Sequence, residues 1–309
     1  MKLSIVTPCY NEEKNIKLFY DEIARIFEKE KIECEIIFID DGSKDNTKKE
    51  IDKIIKLSKK IVIKGISFSR NFGKEAAMYA GLHESVGDYV CIIDADLQQD
   101  PAYIKKMFAF LEKNQDYDEV AAYQEKRKEG FFLSFFKKSF YKIINKITTI
   151  EFVNGASDFR LFRRKVVDSI LEVSEYHRFS KGIFSFVGYK IYYMPYDVKE
   201  RKNGSSSWSF RKLFKYALEG IVAYTTLPLR IPYIFSMLFF LAFVIYLIVL
   251  IALKQFALGS VIMLVILFSM SLILFIFGIF GGYLSKIYIQ GKNRPIYIIK
   301  DYKTNRKDE

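Results

Sequence analysis

Val90-Cys-Ile-Ile-Asp-Ala-Asp-Leu-Gln-Gln-Asp-Pro101 carries two carboxylates, Asp94 and Asp96, on the tip of a short apolar run. Hard divalent cations take oxygen ligands, and Mg²⁺ commonly uses one or two carboxylates, completing its shell with water and phosphate. A strand ending in Asp-x-Asp therefore suggests a metal–diphosphate site. The same pair also closes ordinary turns, so its neighbours have to decide.

Working outward, strand and helix patterns alternate. Leu3 to Thr7, Cys34 to Ile39, Ile61 to Phe68 and Tyr89 to Ile93 read as strands. Between and after them, Glu12 to Lys29, Asn46 to Ser58, Lys74 to Ser85 and Pro101 to Asn114 read as helices. The first helix shows the spacing plainly, with Ile16, Phe19, Tyr20, Ile23, Ile26 and Phe27 on one face. Alternation of this kind predicts an α/β domain with a mostly parallel sheet and helices on both faces. Ligands of such sheets bind at the carboxyl ends of the strands. The polar segments Pro8–Glu12, Asp40–Ser43, Ser69–Lys74 and Asp94–Gln98 all fall there and should converge on one cleft.

Other nucleotide folds are excluded. The turn Thr7-Pro-Cys-Tyr-Asn-Glu-Glu13 holds no glycine, so the Gly-rich dinucleotide fingerprint is missing. Gly73-Lys74-Glu75 is no Walker A segment, because Phe68 stands where a glycine is needed and Glu75 replaces Ser or Thr. Cys9, Cys34 and Cys91 lie in or beside apolar strands, an odd count that fits a reducing compartment. His83 and His177 match no zinc pattern and read as structural.

The chain has 309 residues and a net charge of +12. Ile231 to Leu253 carries no charge, and neither does Phe256 to Ser285. Each exceeds the roughly 20 apolar residues needed to cross a bilayer, which predicts a two-helix transmembrane hairpin. Arg230 precedes it and Lys286, Lys292 and Arg294 follow, while Lys254 alone separates the spans. That bias puts both termini on the cytoplasmic side of the membrane. No signal-peptide pattern opens the chain. No nucleic-acid motif accompanies the charge, and anionic membrane lipids account for it better.

Phe131 to Ile150 interleaves aromatic and aliphatic residues with Lys137, Lys138, Lys142 and Lys146. Lys138, Lys142 and Lys146 share one helix face, the pattern of an interfacial amphipathic helix. Trp208 to Tyr224 repeats the character before the first span. The expected organisation is a catalytic domain over 1–230 with amphipathic helices at about 131–150 and 208–224, spans at 231–253 and 256–285, and a cytoplasmic tail at 287–309 whose end, Asp301 to Glu309, is charged and mobile.

Five segments occur in order: Ser4-Ile-Val-Thr-Pro-Cys-Tyr-Asn-Glu12, Asp40-Asp-Gly-Ser-Lys-Asp45, Ser69-Arg-Asn-Phe-Gly-Lys-Glu75, Asp94-Ala-Asp-Leu-Gln-Gln-Asp-Pro101 and Ser157-Asp-Phe-Arg160. The series resembles glycosyltransferase family 2, over residues 3 to 230, and within it the polyprenyl-phosphate glycosyltransferases; the hairpin is similar to that of the bactoprenol branch. The resemblance implies a GT-A nucleotide-sugar-binding domain, followed by juxtamembrane amphipathic helices and a transmembrane hairpin. It implies inverting hexose transfer from a nucleotide diphosphate sugar to a polyprenyl (undecaprenyl) phosphate, with Mg²⁺ or Mn²⁺ as cofactor. UDP-glucose and UDP-N-acetylglucosamine are the expected donors, with GDP-mannose the alternative.

By the same resemblance Pro8, Tyr10, Glu12, Ile39 and Asp41 contact the nucleotide, and Asp94 and Asp96 hold the metal and diphosphate with Ala95 and Gln98 beside them. Arg201 matches a phosphate-binding arginine, but Ser207 stands where many members have lysine; Lys202, Arg211 or Lys212 would have to substitute. The dolichol enzymes carry an arginine at about Gln124, and Arg127 comes slightly late for it. Asp158 sits where the family has a base or an orienting group, and both roles stay open. Arg160 pairs with a phosphate, with Asp158 or in a plain salt bridge. Tyr196 to Trp208, with Gly204 and three serines, reads as a lid. Relatives of this kind associate through their membrane helices, so a homo-oligomer is expected. A processive polysaccharide synthase is disfavoured, because the single Trp208 follows Ser205-Ser-Ser207 instead of the usual Gln-x-x-Arg. A non-catalytic membrane subunit that binds nucleotide sugar or lipid is the rival of another class, and the intact Asp94, Asp96 and Asp158 argue against it.

Overall fold

The computed structural model describes residues 2–28, 30, 32–123, 156–176, 178–196 and 258–306, with side chains given only in part between 258 and 274. The elements are β1 Lys2–Cys9, α1 Ile16–Phe27, β2 Glu33–Asp40, α2 Thr47–Leu57, β3 Val62–Phe68, α3 Lys74–Glu84, β4 Tyr89–Ile92 and α4 Ala102–Lys113. There follow β5 Glu119–Tyr123, β6 Ala156–Arg163, α5 Arg164–Glu172, α6 Ser180–Phe186, β7 Ile191–Pro195, α7 Leu258–Gly291 and β8 Ile299–Thr304. All four expected strands and all four expected helices of the first 114 residues are present.

One eight-stranded sheet has the order β7-β5-β6-β4-β1-β2-β3-β8. Strands β1 to β4 are mutually parallel, as the alternating pattern requires. β6 runs antiparallel to both β4 and β5, and β7 pairs parallel with β5. Side chains alternate across each strand. Ile5 of β1 therefore joins the core under α1, α2 and α4, whereas its neighbour Val6 joins the core under α3 and α5. Gly81 lets α3 approach closely, since a Cβ there would lie 2.1 Å from Val6 Cγ1. All three cysteines are free and buried, as read from the sequence.

The expectation of a mobile tail is overturned over 301–306. β8 pairs antiparallel with the β3 edge, matching Lys64 to Thr304 and Phe68 to Ile299. Asn305 fastens its end, donating to the Ser58 and Ile61 carbonyls at 2.9 and 3.1 Å and accepting from Ile63 N–H at 2.7 Å. Tyr297 stacks on Phe68 with centroids 5.1 Å apart. An edge strand needs only backbone partners and a little anchoring, so its charged side chains remain outward.

The chain divides into two compact units, one holding the sheet with Pro295–Glu309 and the other holding α7. The described part of the second expected span, 258–285, belongs to α7, which is helical from 258 to 291 and exposes Ile262, Val265, Phe277 and Leu284. Among the described residues no helix is long and apolar enough to cross a membrane. The first expected span and both amphipathic segments lie outside the described residues.

Candidate active site

The carboxyl ends of β1 and β2 are laced together by their following loops. Asn11, with φ of 58°, donates its N–H to Ser43 Oγ at 2.9 Å and accepts Lys44 N–H at 2.9 Å. Glu12 N–H reaches Thr47 Oγ1 at 2.8 Å, and the Glu13 carboxylate accepts Asn46 N–H at 3.0 Å. These bonds hold Tyr10 and Glu12 at the rim, where the Tyr10 ring is 43% exposed. Pro8 and Ile39 are directly paired across β1 and β2, with the Ile39 side chain fully buried in the core.

Asp41 is buried, and both its oxygens are occupied by backbone donors, Phe72 N–H at 2.6 Å and Gly73 N–H at 2.9 Å. Burial nevertheless pushes its carboxyl up from the ordinary value, with those two amides opposing the shift. Gly42 makes this possible. Its φ is 65°, and a Cβ would lie 2.5 Å from the Arg70 carbonyl carbon. Asp41 thus ties the 69–73 loop to the end of β2.

Asp94 and Asp96 follow β4. Ile93 N–H continues the ladder to Val6 carbonyl at 3.0 Å, then the chain turns, with Leu97 at φ 59°. Asp96 is nearly buried and accepts Gln98 N–H at 3.1 Å, while Ala95 packs into the core. The residue that steadies Asp94 is Gln99, which was not singled out in the sequence. Its Oε1 accepts Asp94 N–H at 3.1 Å and its Nε2 donates to Asp94 Oδ2 at 3.4 Å.

The antiparallel register delivers Asp158. Tyr89 pairs with Arg163 and Ile92 with Arg160, so continuing the register sets Asp94 opposite Asp158. Between them stands Lys74, the first residue of α3. Its Nζ lies 2.7 Å from Asp94 Oδ1 and 3.1 Å from Asp158 Oδ2. Burial favours the neutral form of Asp158, yet Lys74, Lys181 and Arg160 outweigh it and hold this carboxyl well below the usual range. At Asp94 burial wins over Lys74, and the carboxyl is raised. Next to Lys74, burial and the charge of Asp158 push Glu75 up to about 7. Glu75 accepts Ser180 N–H at 2.9 Å and also the Ser180 hydroxyl. Lys74 and Glu75 belong to a segment quoted above, but nothing local in the sequence says that they meet Asp158 and Ser180.

Arg160 does not meet a ligand-facing partner. Its guanidinium is buried, pairs with the buried Glu119 across β5 and β6, donates to Ser157 carbonyl at 3.1 Å and lies 4.8 Å from the Phe184 ring centre. Of the three roles open to it, the structural salt bridge is the one observed. Arg201, Lys202, Ser207, Lys138, Lys142, Lys146 and Arg127 lie outside the described residues, as does the expected lid except for the buried Tyr196.

Among the described residues no three His, Cys, Asp or Glu side chains gather as a metal cage. Two hard carboxylates are nevertheless a sufficient protein contribution for a cation that a diphosphate also ligates. The Lys74 ammonium beside Asp94 shows that a positive charge is accommodated at this point. The residues fit a divalent metal.

Residues 4–171 match the family described as Glycosyl transferase family 2. The chain is 37% identical over 311 residues to "Putative glycosyltransferase CsbB" of Bacillus subtilis (strain 168), covering 99% of this chain and 93% of that one. It is 37% identical over 308 residues to "Bactoprenol glucosyl transferase" of Shigella phage SfX, covering 98% and 100%. Among solved structures, mannosyl-3-phosphoglycerate synthase from Rubrobacter xylanophilus is similar with a TM-score of 0.49 at 17% identity, covering 72% of each chain.

Proposed function

The chain belongs to glycosyl transferase family 2 and is a glycosyltransferase, and on that premise we propose that it transfers a hexose from a nucleoside diphosphate sugar to a polyprenyl phosphate, inverting the anomeric carbon. The observation that carries this reading is the placement of Asp94 opposite Asp158, with Asp96 two residues on, at the strand ends beside the laced β1 and β2 loops. The relatives named bactoprenol glucosyl transferase support glucose as the sugar and a bactoprenol lipid, taken here as undecaprenyl phosphate, as the acceptor; UDP is the nucleotide we assign with it.

A phosphate oxygen of the lipid attacks the anomeric carbon, the bond from that carbon to the diphosphate breaks, and the nucleoside diphosphate leaves. Asp94 and Asp96 would hold a bound Mg²⁺ or Mn²⁺, which would supply electrophilic stabilisation of the charge on the diphosphate. Gln99 fixes the orientation of Asp94 by bonding both its amide and its carboxylate. Pro8, Tyr10 and Glu12 line the nucleotide end. Asp41 is assigned to that end too, and the two backbone N–H groups it accepts also position the 69–73 loop. Arg201 and Lys202 are assigned to the phosphates. A phosphomonoester loses its second proton near pH 6, so the nucleophile is already anionic and a strong base is unnecessary. Asp158, ionised and paired with Lys74, fits the orienting role better than the base role, because an efficient base has a pKa near the working pH.

The apolar runs 231–253 and 256–285 are assigned to a hairpin in the cytoplasmic membrane, with the catalytic domain and both termini cytoplasmic. The basic segment 131–150, with Lys138, Lys142 and Lys146, is assigned to anionic lipid headgroups, and the membrane helices to homo-oligomer contacts.

The test uses purified protein in detergent with UDP-glucose, UDP-N-acetylglucosamine or GDP-mannose, each with and without undecaprenyl phosphate. Nucleotide release is expected only with lipid, and fastest with UDP-glucose. Preference for GDP-mannose would move the assignment to the mannosyl alternative. Binding without turnover of any donor would establish the non-catalytic rival.

A further inference from the structure

Lys74, already seen to pair with Asp158, lies 2.7 Å from Asp94, an expected metal ligand. It opens α3 directly after Gly73, whose φ of 101° suits glycine and turns the chain into the helix. From there Nζ reaches Asp94 Oδ1 at 2.7 Å, Asp94 Oδ2 at 2.9 Å and Asp158 Oδ2 at 3.1 Å. Two carboxylates set opposite each other at adjoining strand ends repel, and one ammonium between them relieves that repulsion. A divalent cation approaching Asp94 meets both an occupied carboxylate and a like charge.

We propose that Lys74 is a built-in counter-ion that competes with the divalent cation for Asp94, so that metal binds weakly until a nucleoside diphosphate brings negative charge of its own. Once Asp94 is taken by the metal, Lys74 keeps Asp158 as its partner and holds that carboxylate in place. The inference rests on Asp94 and Asp96 being the cation ligands. It adds an order to the loading of the site, since coupled binding is reciprocal: whatever factor the diphosphate contributes to metal affinity, metal contributes to diphosphate affinity. Lys74 is a positioning residue in this scheme, and its side chain is 41% exposed, so replacing it leaves the core intact.

Mn²⁺ binding to the full-length protein in detergent, without nucleotide, is measured by the electron paramagnetic resonance signal of free Mn²⁺. Lys74→Gln is expected to bind Mn²⁺ about tenfold more tightly than the natural protein, within the usual range of coupling between sites. Lys74→Arg, which keeps the charge, is expected to remain weak, and Asp94→Asn to lose the site. Gain of affinity is a readout that mere structural damage does not produce. Should Lys74→Gln bind no more tightly than the natural protein while Asp94→Asn loses binding, the competition is overturned and the ligand assignment stands. Should Asp94→Asn bind Mn²⁺ as well as the natural protein, the ligand assignment itself fails. Absence of Mn²⁺ binding to Lys74→Gln up to millimolar concentration also overturns the proposal.

Discussion

Replacing Glu119 by Leu tests whether the pairing of Arg160 is structural. Glu119 is fully buried and Arg160 is 2% exposed, so neither charge has water to fall back on. With Glu119 gone, Arg160 keeps Ser157 carbonyl at 3.1 Å and the Phe184 ring, but loses its directly bonded carboxylate. Breaking a buried pair from one side costs about 3–5 kcal/mol, because an uncompensated charge is left inside. A typical domain has roughly 5–15 kcal/mol in total, so the loss is severe. Arg160→Met leaves Glu119 stranded, with Oε2 already lacking a hydrogen bond, and should cost a similar amount. The double variant Glu119→Leu/Arg160→Met removes both charges and should cost only about 1 kcal/mol or less. The assay is the urea midpoint of each variant in detergent, followed by circular dichroism, read as a double-mutant cycle. A coupling of about 2 kcal/mol or more is expected. Single variants that each cost under about 1 kcal/mol, or whose effects simply add, would refute the reasoning. Arg160 also lies on the same strand face as Asp158, so a freed guanidinium should compete with Lys74 and slow turnover in Glu119→Leu.

Three further outcomes are expected. Glu75 is raised from 4.5 to about 7, so the native state holds this proton more tightly than the unfolded chain between those values, and stability falls as pH rises through that window, by at most about 3 kcal/mol. Glu75→Gln should flatten that slope in urea titrations; an unchanged slope would locate the effect elsewhere. Asn305→Ala removes three hydrogen bonds that fasten β8 and should cost about 1–3 kcal/mol. It should also speed amide exchange along Ile299–Thr304, whereas exchange already fast in the natural protein would restore the mobile tail. Asp158→Asn should lower kcat well before it raises donor KM, and unchanged kinetics would make Asp158 a structural residue only.

Local periodicity made the first half of the sheet legible. β1 to β4 are apolar runs bounded by turn residues, and α1 shows its buried face at helical spacing. The strand ends, and hence Asp41, Asp94 and Asp96, followed from that. The antiparallel side was not legible, because β5, β6 and β7 are joined by long connections and their register is set by tertiary packing. This is why the opposition of Asp94 and Asp158, and the Glu119 partner of Arg160, had to come from the structure. Lys74 was hidden for the same reason: its two partners lie 20 and 84 residues away. β8 escaped because both its faces are largely solvated, so it has no apolar alternation to read. Asp41 is assigned to the nucleotide by resemblance, and the structure adds the hydrogen bonds it accepts from Phe72 and Gly73, which no local pattern in the sequence announces.

The most direct measurement is transfer of radiolabelled hexose from its nucleotide donor into the organic phase on undecaprenyl phosphate, by the natural protein and by Asp96→Asn. The account predicts transfer that EDTA stops and Mn²⁺ or Mg²⁺ restores, and none above background from a folded Asp96→Asn protein. Transfer that persists in EDTA, or that survives in Asp96→Asn, would contradict it.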